Sequence, residues 1–419
     1  MHYQARTGWL QVPAVFRGWG IVASLFVSEM FAVGCTAYAF GLYVVPASEE
    51  LGLSRASANS GLILLMVGMG VASPILGKLL DRFPARNVIV IGAMMLGAGF
   101  AVIALSETLW LLAVSLFLLA GPGAAAIGPL TASTVISRWF TLHRGKALGV
   151  GAAGTSLGGA MLVPLIALSL DYLTWRETLL LQGGVITLLV SFIAWRTVVS
   201  RPQDIGLHPD GADAPARVDH CAQADMKRWS PRELLRSRDF WCLSVAVSIT
   251  FGVSQAILVS LVPYASDMDI SPQKASFLVS VSAFSSIIGK LAVGALSDHM
   301  NKKILMFVII SFVFIKLGAL YVQPDYMVLL MVLVVSGIAL GGELPVWAAL
   351  VAERFGAASY GTTMGLMTLI NTVVNIAALR FIGDVYDRTG GYDLAFQVFA
   401  LTIVVALVAT ACMTKVRKA

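Results

Sequence analysis

GKLLDRFPAR (residues 77–86) and GALSDHMNKK (residues 294–303) share one pattern, G-x-L-x-D-[R/H] closed by basic residues, and stand 217 residues apart. Each follows a long apolar run, the first over 57–80 and the second over 273–296. A second pair of echoes lies downstream. Arg138-Trp139-Phe140 with Arg144-Gly145 and Gly149 is matched by Arg354-Phe355-Gly356 with Tyr360-Gly361 and Gly365. Two sets of matching polar loops at half-chain spacing predict two copies of one structural unit. Their parallel order predicts an axis along the membrane normal between them.

The runs between these loops decide the solvent. Apolar stretches recur near 18–45, 57–80, 87–106, 109–137, 146–170 and 178–199, then near 239–266, 273–296, 304–322, 327–352, 359–383 and 392–414. Each is long enough to cross a bilayer as a helix. Unbroken runs of this length must satisfy their backbone internally, so they are helices and not barrel strands. Hydrophobic residue types make up 58% of the 419 residues and charged types 12%, with mean hydropathy +0.84. A soluble fold of this composition would expose more apolar surface than water tolerates. An ordinary cytosolic enzyme, a disordered chain and a secreted disulfide scaffold are excluded. The expected fold is all-α, with twelve transmembrane helices in two six-helix bundles. Residues 1–199 and 238–419 form the halves, and 200–237 a cytoplasmic linker loop. Within the linker, Ser230-Pro231 followed by Glu233 predicts a capped short helix near 231–238. The apolar run after residue 17 is too long for a signal peptide and is read as a retained span. Cys35, Cys221, Cys242 and Cys412 form no C-x-x-C pair and read as small hydrophobes.

Charge sets the expected orientation. With the N-terminus inside, 22 of the 29 Lys and Arg fall on inner loops and termini, among them Arg82, Arg86, Lys302, Lys415, Arg417 and Lys418. Four, Arg55, Arg176, Lys274 and Arg388, fall outside. This bias predicts a multi-pass inner (cytoplasmic) membrane protein with both termini cytoplasmic. It also explains the net charge of +6 without any nucleic-acid partner.

The repeated loops resemble the signature of the major facilitator superfamily. The resemblance covers the whole chain and appears in both halves, with Pro84 standing where the family usually has glycine. It implies that Asp81, Arg82, Arg86, Arg138 and Arg144, with Asp298 and Lys302, gate the cytoplasmic side. Finer stretches are RWFTLHRGKALGVGAAGTSLGG (138–159), TWRETLLLQGG (174–184), RPQDIGLHPDG (201–211) and GDVYDRTGGYDLAF (383–396). They resemble bacterial members of the monocarboxylate-porter group, which includes oxalate–formate carriers. Gly18-Trp19-Gly20 fits the same group. The resemblance implies transport of a small organic anion, by proton symport or by exchange. Drug–proton antiporters of the superfamily usually carry a Gly-Pro pair in helix 5, and the run Gly154–Gly159 has none. A proton-coupled exporter of a drug or metabolite is the rival reading.

Ionisable residues inside spans are costly, so each is a functional candidate. Lys290 lies one turn before Gly294, where the resemblance implies an arginine facing the substrate carboxylate; the group's acidic partner one turn earlier is Ser286 here. Glu29, near the middle of helix 1, reads as a proton site or as the partner of Lys290. Glu343, in the loosened GGELP stretch of helix 10, reads as a proton or substrate group or as a cap for a disturbed backbone. Arg380 is a substrate candidate with Asp384 at i,i+4. Lys316, on helix 9, is expected to reach a neighbouring helix. Uncharged candidates are Asn371 and Asn375 one turn apart, Gln255, Tyr38 and Tyr43. No P-loop, H-E-x-x-H or G-x-S-x-G motif occurs, so neither ATP-driven nor catalytic chemistry is expected. No cofactor and no metal are expected, because His2, His143, His208, His220 and His299 are scattered outside the spans.

Overall fold

The computed structural model describes residues 16–51, 55–212 and 228–414. Arg6, Cys221 and the basic residues of the C-terminal tail lie outside them, as do His2, His220 and part of the linker. Among the described residues, twelve helices are long and apolar enough to cross a membrane. They are α1 (Arg17–Tyr38), α2 (Ser60–Arg82), α3 (Ala85–Leu105), α4 (Leu109–Trp139), α5 (Arg144–Leu170) and α6 (Trp175–Thr197). The second six are α7 (Arg238–Asp267), α8 (Gln273–Leu296), α9 (Lys302–Val322), α10 (Tyr326–Phe355), α11 (Ala357–Thr389) and α12 (Asp393–Cys412). No strand occurs among the described residues. The helix of α1 resumes over Phe40–Leu51, and α11 runs six residues beyond the sequence reading, to Thr389. Both extensions are polar at their ends, which hydropathy alone discounts.

The expected short helix is present at Pro231–Arg236, with Ser230 and Glu233 forming a reciprocal capping box. The fourth helix of each half is interrupted. α4 breaks at Gly128 (φ −92°, ψ −160°), before Pro129, whereas α10 is irregular for one residue at Gly342, which keeps right-handed dihedrals (φ −73°, ψ −11°) before Glu343 and Pro345. Within the first half, α1 and α5 each contain a π-helical turn, Gly34–Tyr38 and Gly158–Leu162. The two turns pack against each other at Gly34 and Gly158.

The halves meet where α2 packs on α11, α5 on α8, and the later part of α4 and the first part of α5 on the later part of α10. The closest approaches lie on the face that carries the repeated loops, here called the loop face. A Cβ at Gly77 would sit 2.0 Å from the carbonyl oxygen of Gly361, so only glycine allows this crossing. The same holds at Gly149, where a Cβ would sit 2.2 Å from the Lys290 carbonyl oxygen. The contacts are exchanged between repeats. The leading glycine of the first loop packs on the second-motif glycine of the other half, and Gly294 packs on Gly145 and Gly149 in return.

Candidate functional site

Two carboxylates join the halves on the loop face. Asp81, at the end of α2, accepts hydrogen bonds from the Gly361 amide (3.1 Å) and from the Thr362 amide and hydroxyl (both 2.8 Å). It thereby caps the start of α11 in the other half. Asp298, its counterpart after α8, accepts from the Gly145 (2.5 Å) and Lys146 (2.9 Å) amides at the start of α5. Helix N-termini present free amides and a partial positive charge, so a carboxylate from the opposite half is the natural clasp.

The other predicted gate residues divide. Arg138 pairs with Asp81 at 2.9 Å and donates to the Leu80 carbonyl. Arg144 is held by its own Nε donating to the Phe140 carbonyl, with Tyr360, Asp210, Glu353 and Asp298 as its electrostatic neighbours. Lys302 pairs with Glu353 (2.8 Å), within its own half. Arg82 is exposed, and Arg86 lies over the Trp195 ring at 5.0 Å, so neither crosses between halves. The repeat symmetry also fails at Arg354, the echo of Arg138. It pairs with Asp239 on α7 (2.7 Å) and not with Asp298.

Deeper in, Lys290 is 8% exposed. Its Nζ donates to the hydroxyls of Thr155 (2.6 Å) and Ser156 (2.5 Å), both on α5 of the other half. Glu29 on α1 is its electrostatic neighbour, and the Glu29 Oε2 atom has no hydrogen-bond partner. A cation of one half thus lies among two hydroxyls and a carboxylate of the other. In the sequence Thr155 and Ser156 are members of a glycine-rich run with no charge to single them out. A sequence signal for them exists only once Lys290 is placed against α5.

Glu343 has Lys316 on α9, not Lys290, as its electrostatic neighbour. Both are buried within the second half, 3% and 4% exposed. Arg380 is on the outside, its side chain 77% exposed and paired with Asp384 at 3.2 Å. It lies five residues beyond Asn375, which turns it about 140° around the helix. Asn375 is buried and Asn371 half-buried, each with a side-chain oxygen that has no partner. Tyr38 is 46% exposed, its ring against Gly159, on the side away from the loop face. Gln255 is half-buried on α7. Tyr43 accepts a hydrogen bond from the Gln182 side chain within the first half.

A cavity of about 290 Å³ lies inside the first half, lined by Cys35, Tyr43, Phe100, Trp175 and a ring of leucines. Among the described residues no Asp, Glu, Lys or Arg lines it. A far smaller void, about 10 Å³, sits beside Glu29 and is walled by Ser133, Ile136, Ala152 and Pro345 among others. That is room for one water molecule.

The sequence pattern of the Major Facilitator Superfamily matches residues 25–379 and 249–419. The chain belongs to the major facilitator superfamily. It is therefore a secondary transporter and not an enzyme. As a superfamily member it resembles monocarboxylate transporter 13 of Bos taurus, with 25% identity over 389 residues, 91% of this chain and 85% of that one. It is 24% identical to the uncharacterised MFS-type transporter YcxA of Bacillus subtilis (strain 168), covering 91% of each. The structure of the proton:xylose symporter XylE superposes with a TM-score of 0.76 at 14% identity, covering 95% of this chain and 96% of that one. This last likeness speaks to the superfamily fold alone.

Proposed function

We propose that the chain carries a small organic anion, a monocarboxylate in the first place, together with a proton across the inner (cytoplasmic) membrane. Both termini and the loop face lie in the cytoplasm. Residues 1–199 and 238–419 rock about the midplane as two bodies joined by 200–237. The observation that carries this reading is the seat of Lys290, buried between the halves, with Thr155, Ser156 and Glu29 as its surroundings.

The charge arithmetic favours symport. An uncompensated charge in a buried site is costly, so the site crosses the membrane most readily when neutral. With Glu29 ionised, Lys290 is balanced and the empty site is neutral. Once Glu29 takes a proton, the Lys290 cation is unbalanced and attracts an anion. The loaded site, with protonated Glu29, Lys290 and a carboxylate, is neutral again. Anion binding and proton binding each favour the other, and neither alone yields a mobile site. Lys290 presents a point charge where the group's arginine would present a fork. The Thr155 and Ser156 hydroxyls lie where they can hold the second carboxylate oxygen. Tyr38 and Asn371 line the approach from the opposite face. Glu343, with Lys316 as its electrostatic neighbour, and Arg380, paired with Asp384, take no part in binding.

Uptake of a panel of labelled carboxylates into proteoliposomes, with and without an inward proton gradient, tests this reading. Gradient-stimulated uptake that is lost in Lys290→Gln is expected. In Glu29→Gln the proton stimulation disappears while exchange of internal for external anion persists. Uptake that requires a preloaded anion and ignores the gradient makes the protein an exchanger. Folded protein without any carboxylate flux overturns the proposal and favours proton-coupled export.

A further inference from the structure

Tyr360 opens the helical part of α11 and is fully buried, although it lies next to the interface capped by Asp81. Its side chain reaches into the other half. The hydroxyl stands beside Ser133 and Ser137 of α4, with Arg144 of α5 and Glu29 of α1 as its charged neighbours. It makes a well-formed hydrogen bond to neither serine, and the Ser137 hydroxyl is also buried without a partner. Ser133 and Ser137 are one turn apart and share a face of α4. They lie about 9 Å and about 3 Å before its loop-face end, whereas Glu29 is about 18 Å into α1. The small void beside Glu29 is walled by Ser133. From the loop face inward, the order is Arg144, the Tyr360 hydroxyl with Ser137, Ser133, the void, and Glu29.

The column carries a polar group at each level between apolar walls that include Ile136, Leu148 and Pro345, and the Tyr360 and Ser137 hydroxyls and the Glu29 Oε2 atom have no hydrogen-bond partner. Unpartnered polar groups of this kind hydrate when space opens. One large side chain, contributed by the opposite half, fills it. We propose that Tyr360 is the plug that keeps loop-face water from Glu29 while the halves are closed, and that its withdrawal with α11 is what exposes Glu29 for proton release. The inference rests on Glu29 as the proton site. Asp81, which caps the two residues after Tyr360, ties the plug to the latch: α11 cannot leave Asp81 without drawing Tyr360 out. The proton balance is simple. Protonated Glu29 gives its proton to a water admitted along the serine face, leaving a carboxylate and a hydronium on the loop side.

The test is passive proton flux in proteoliposomes without substrate, driven by a potassium-diffusion potential and read with a trapped pH dye. Tyr360→Ala is expected to leak several-fold above the wild type. Tyr360→Phe, which keeps the bulk, stays at the wild-type level. Tyr360→Ala with Glu29→Gln returns to it, because the leak runs through Glu29. A Tyr360→Cys protein is expected to leak until a benzyl thiosulfonate refills the space, which reads the plug in one folded sample. Carboxylate counterflow certifies folding in each variant. A Tyr360→Ala or Tyr360→Cys protein that exchanges anion but does not leak overturns the proposal. So does a leak that survives Glu29→Gln. Proton-stimulated uptake that is unchanged in Glu29→Gln alone removes the underlying reading instead.

Discussion

The Asp81 carboxylate, in the first half, accepts two hydrogen bonds from Thr362 in the second, one from its amide and one from its hydroxyl. Asp298 returns the relation at Gly145 and Lys146. Hydrogen bonds to a charged group contribute about 1.5–3 kcal/mol, and these exist only while the loop face is closed. Asp298→Asn weakens the acceptor and removes one of several charges near Arg144, but breaks no direct ion pair. It is expected to shift the closed–open balance about tenfold toward a loop-face-open state, the low end of that range. Asp81→Asn also removes the ion partner of buried Arg138 and is expected to shift it further. The measure is the rate at which an impermeant thiol reagent, applied from the loop face, labels Ala152→Cys in a background lacking the four native cysteines. Equal labelling in wild type and both variants would contradict the latch.

The linker takes part in the same turn. Asp210 accepts from the Thr141 (2.9 Å), Leu142 (2.9 Å) and His143 (3.3 Å) amides and from the Thr141 hydroxyl (2.5 Å). It holds the three residues before Arg144 and therefore sets the start of α5 that Asp298 caps. Burial pushes the Asp210 carboxyl up, but these hydrogen bonds outweigh it and hold the group below the usual carboxylate range. Asp210→Ala should loosen this turn by about 1–2 kcal/mol, the usual worth of a lost cap. Faster proteolysis at the loop face is expected, together with reduced transport rate at unchanged affinity for substrate. Unchanged cleavage would show that the turn holds itself.

The pattern of gains and misses has a physical cause. Helix count, repeat and the Asp81 and Asp298 loops were legible because hydropathy, glycine and charge act locally along the chain. The Arg380–Asp384 pair was legible because i,i+4 spacing is set by the helix itself. Which face of α10 carries Glu343 was not. The run Tyr326–Gly341 before it is apolar on every side, so the sequence does not tell which face turns inward. Lys290 was singled out by its charge, but Thr155 and Ser156 become its partners only through the packing of α5 on α8. Tyr360 stood in the sequence as half of a loop echo. Its entry into the other half depends on the glycine crossing at Gly361.

On the face opposite the repeated loops, Glu50 ties the continuation of α1 to α6. It accepts from Arg176 Nε (2.8 Å) and Trp175 Nε1 (2.5 Å), while Arg176 also donates to the Ala104 and Ser106 carbonyls. Arg176 first, and Trp175 next, hold the Glu50 carboxyl below its ordinary value of 4.5. A folded value below the unfolded one gives stability that is present above about pH 4.5 and is lost as pH falls through the folded value. Glu50→Gln should therefore lower the unfolding midpoint at neutral pH and converge on the wild type in strong acid. A gap between the two that stays constant with pH would assign the loss to packing and not to charge.

Lys316 and Glu343 offer the sharpest separation of structure from transport. Each is the other's electrostatic neighbour inside the second half, both are buried, Lys290 acts on neither, and Glu343 Oε1 has no hydrogen-bond partner. Removing one charge strands the other, which costs about 3–5 kcal/mol for a buried pair, whereas replacing both is often neutral. Lys316→Met is therefore expected to lower the thermal unfolding midpoint in detergent markedly. Lys316→Met with Glu343→Gln recovers most of the loss. The double variant should also retain proton-stimulated uptake, because Glu29 and not Glu343 is the proposed proton carrier. A double variant that is as stable as the wild type but no longer proton-driven would transfer that role to Glu343. It would also make the break at Gly342 part of the coupling mechanism.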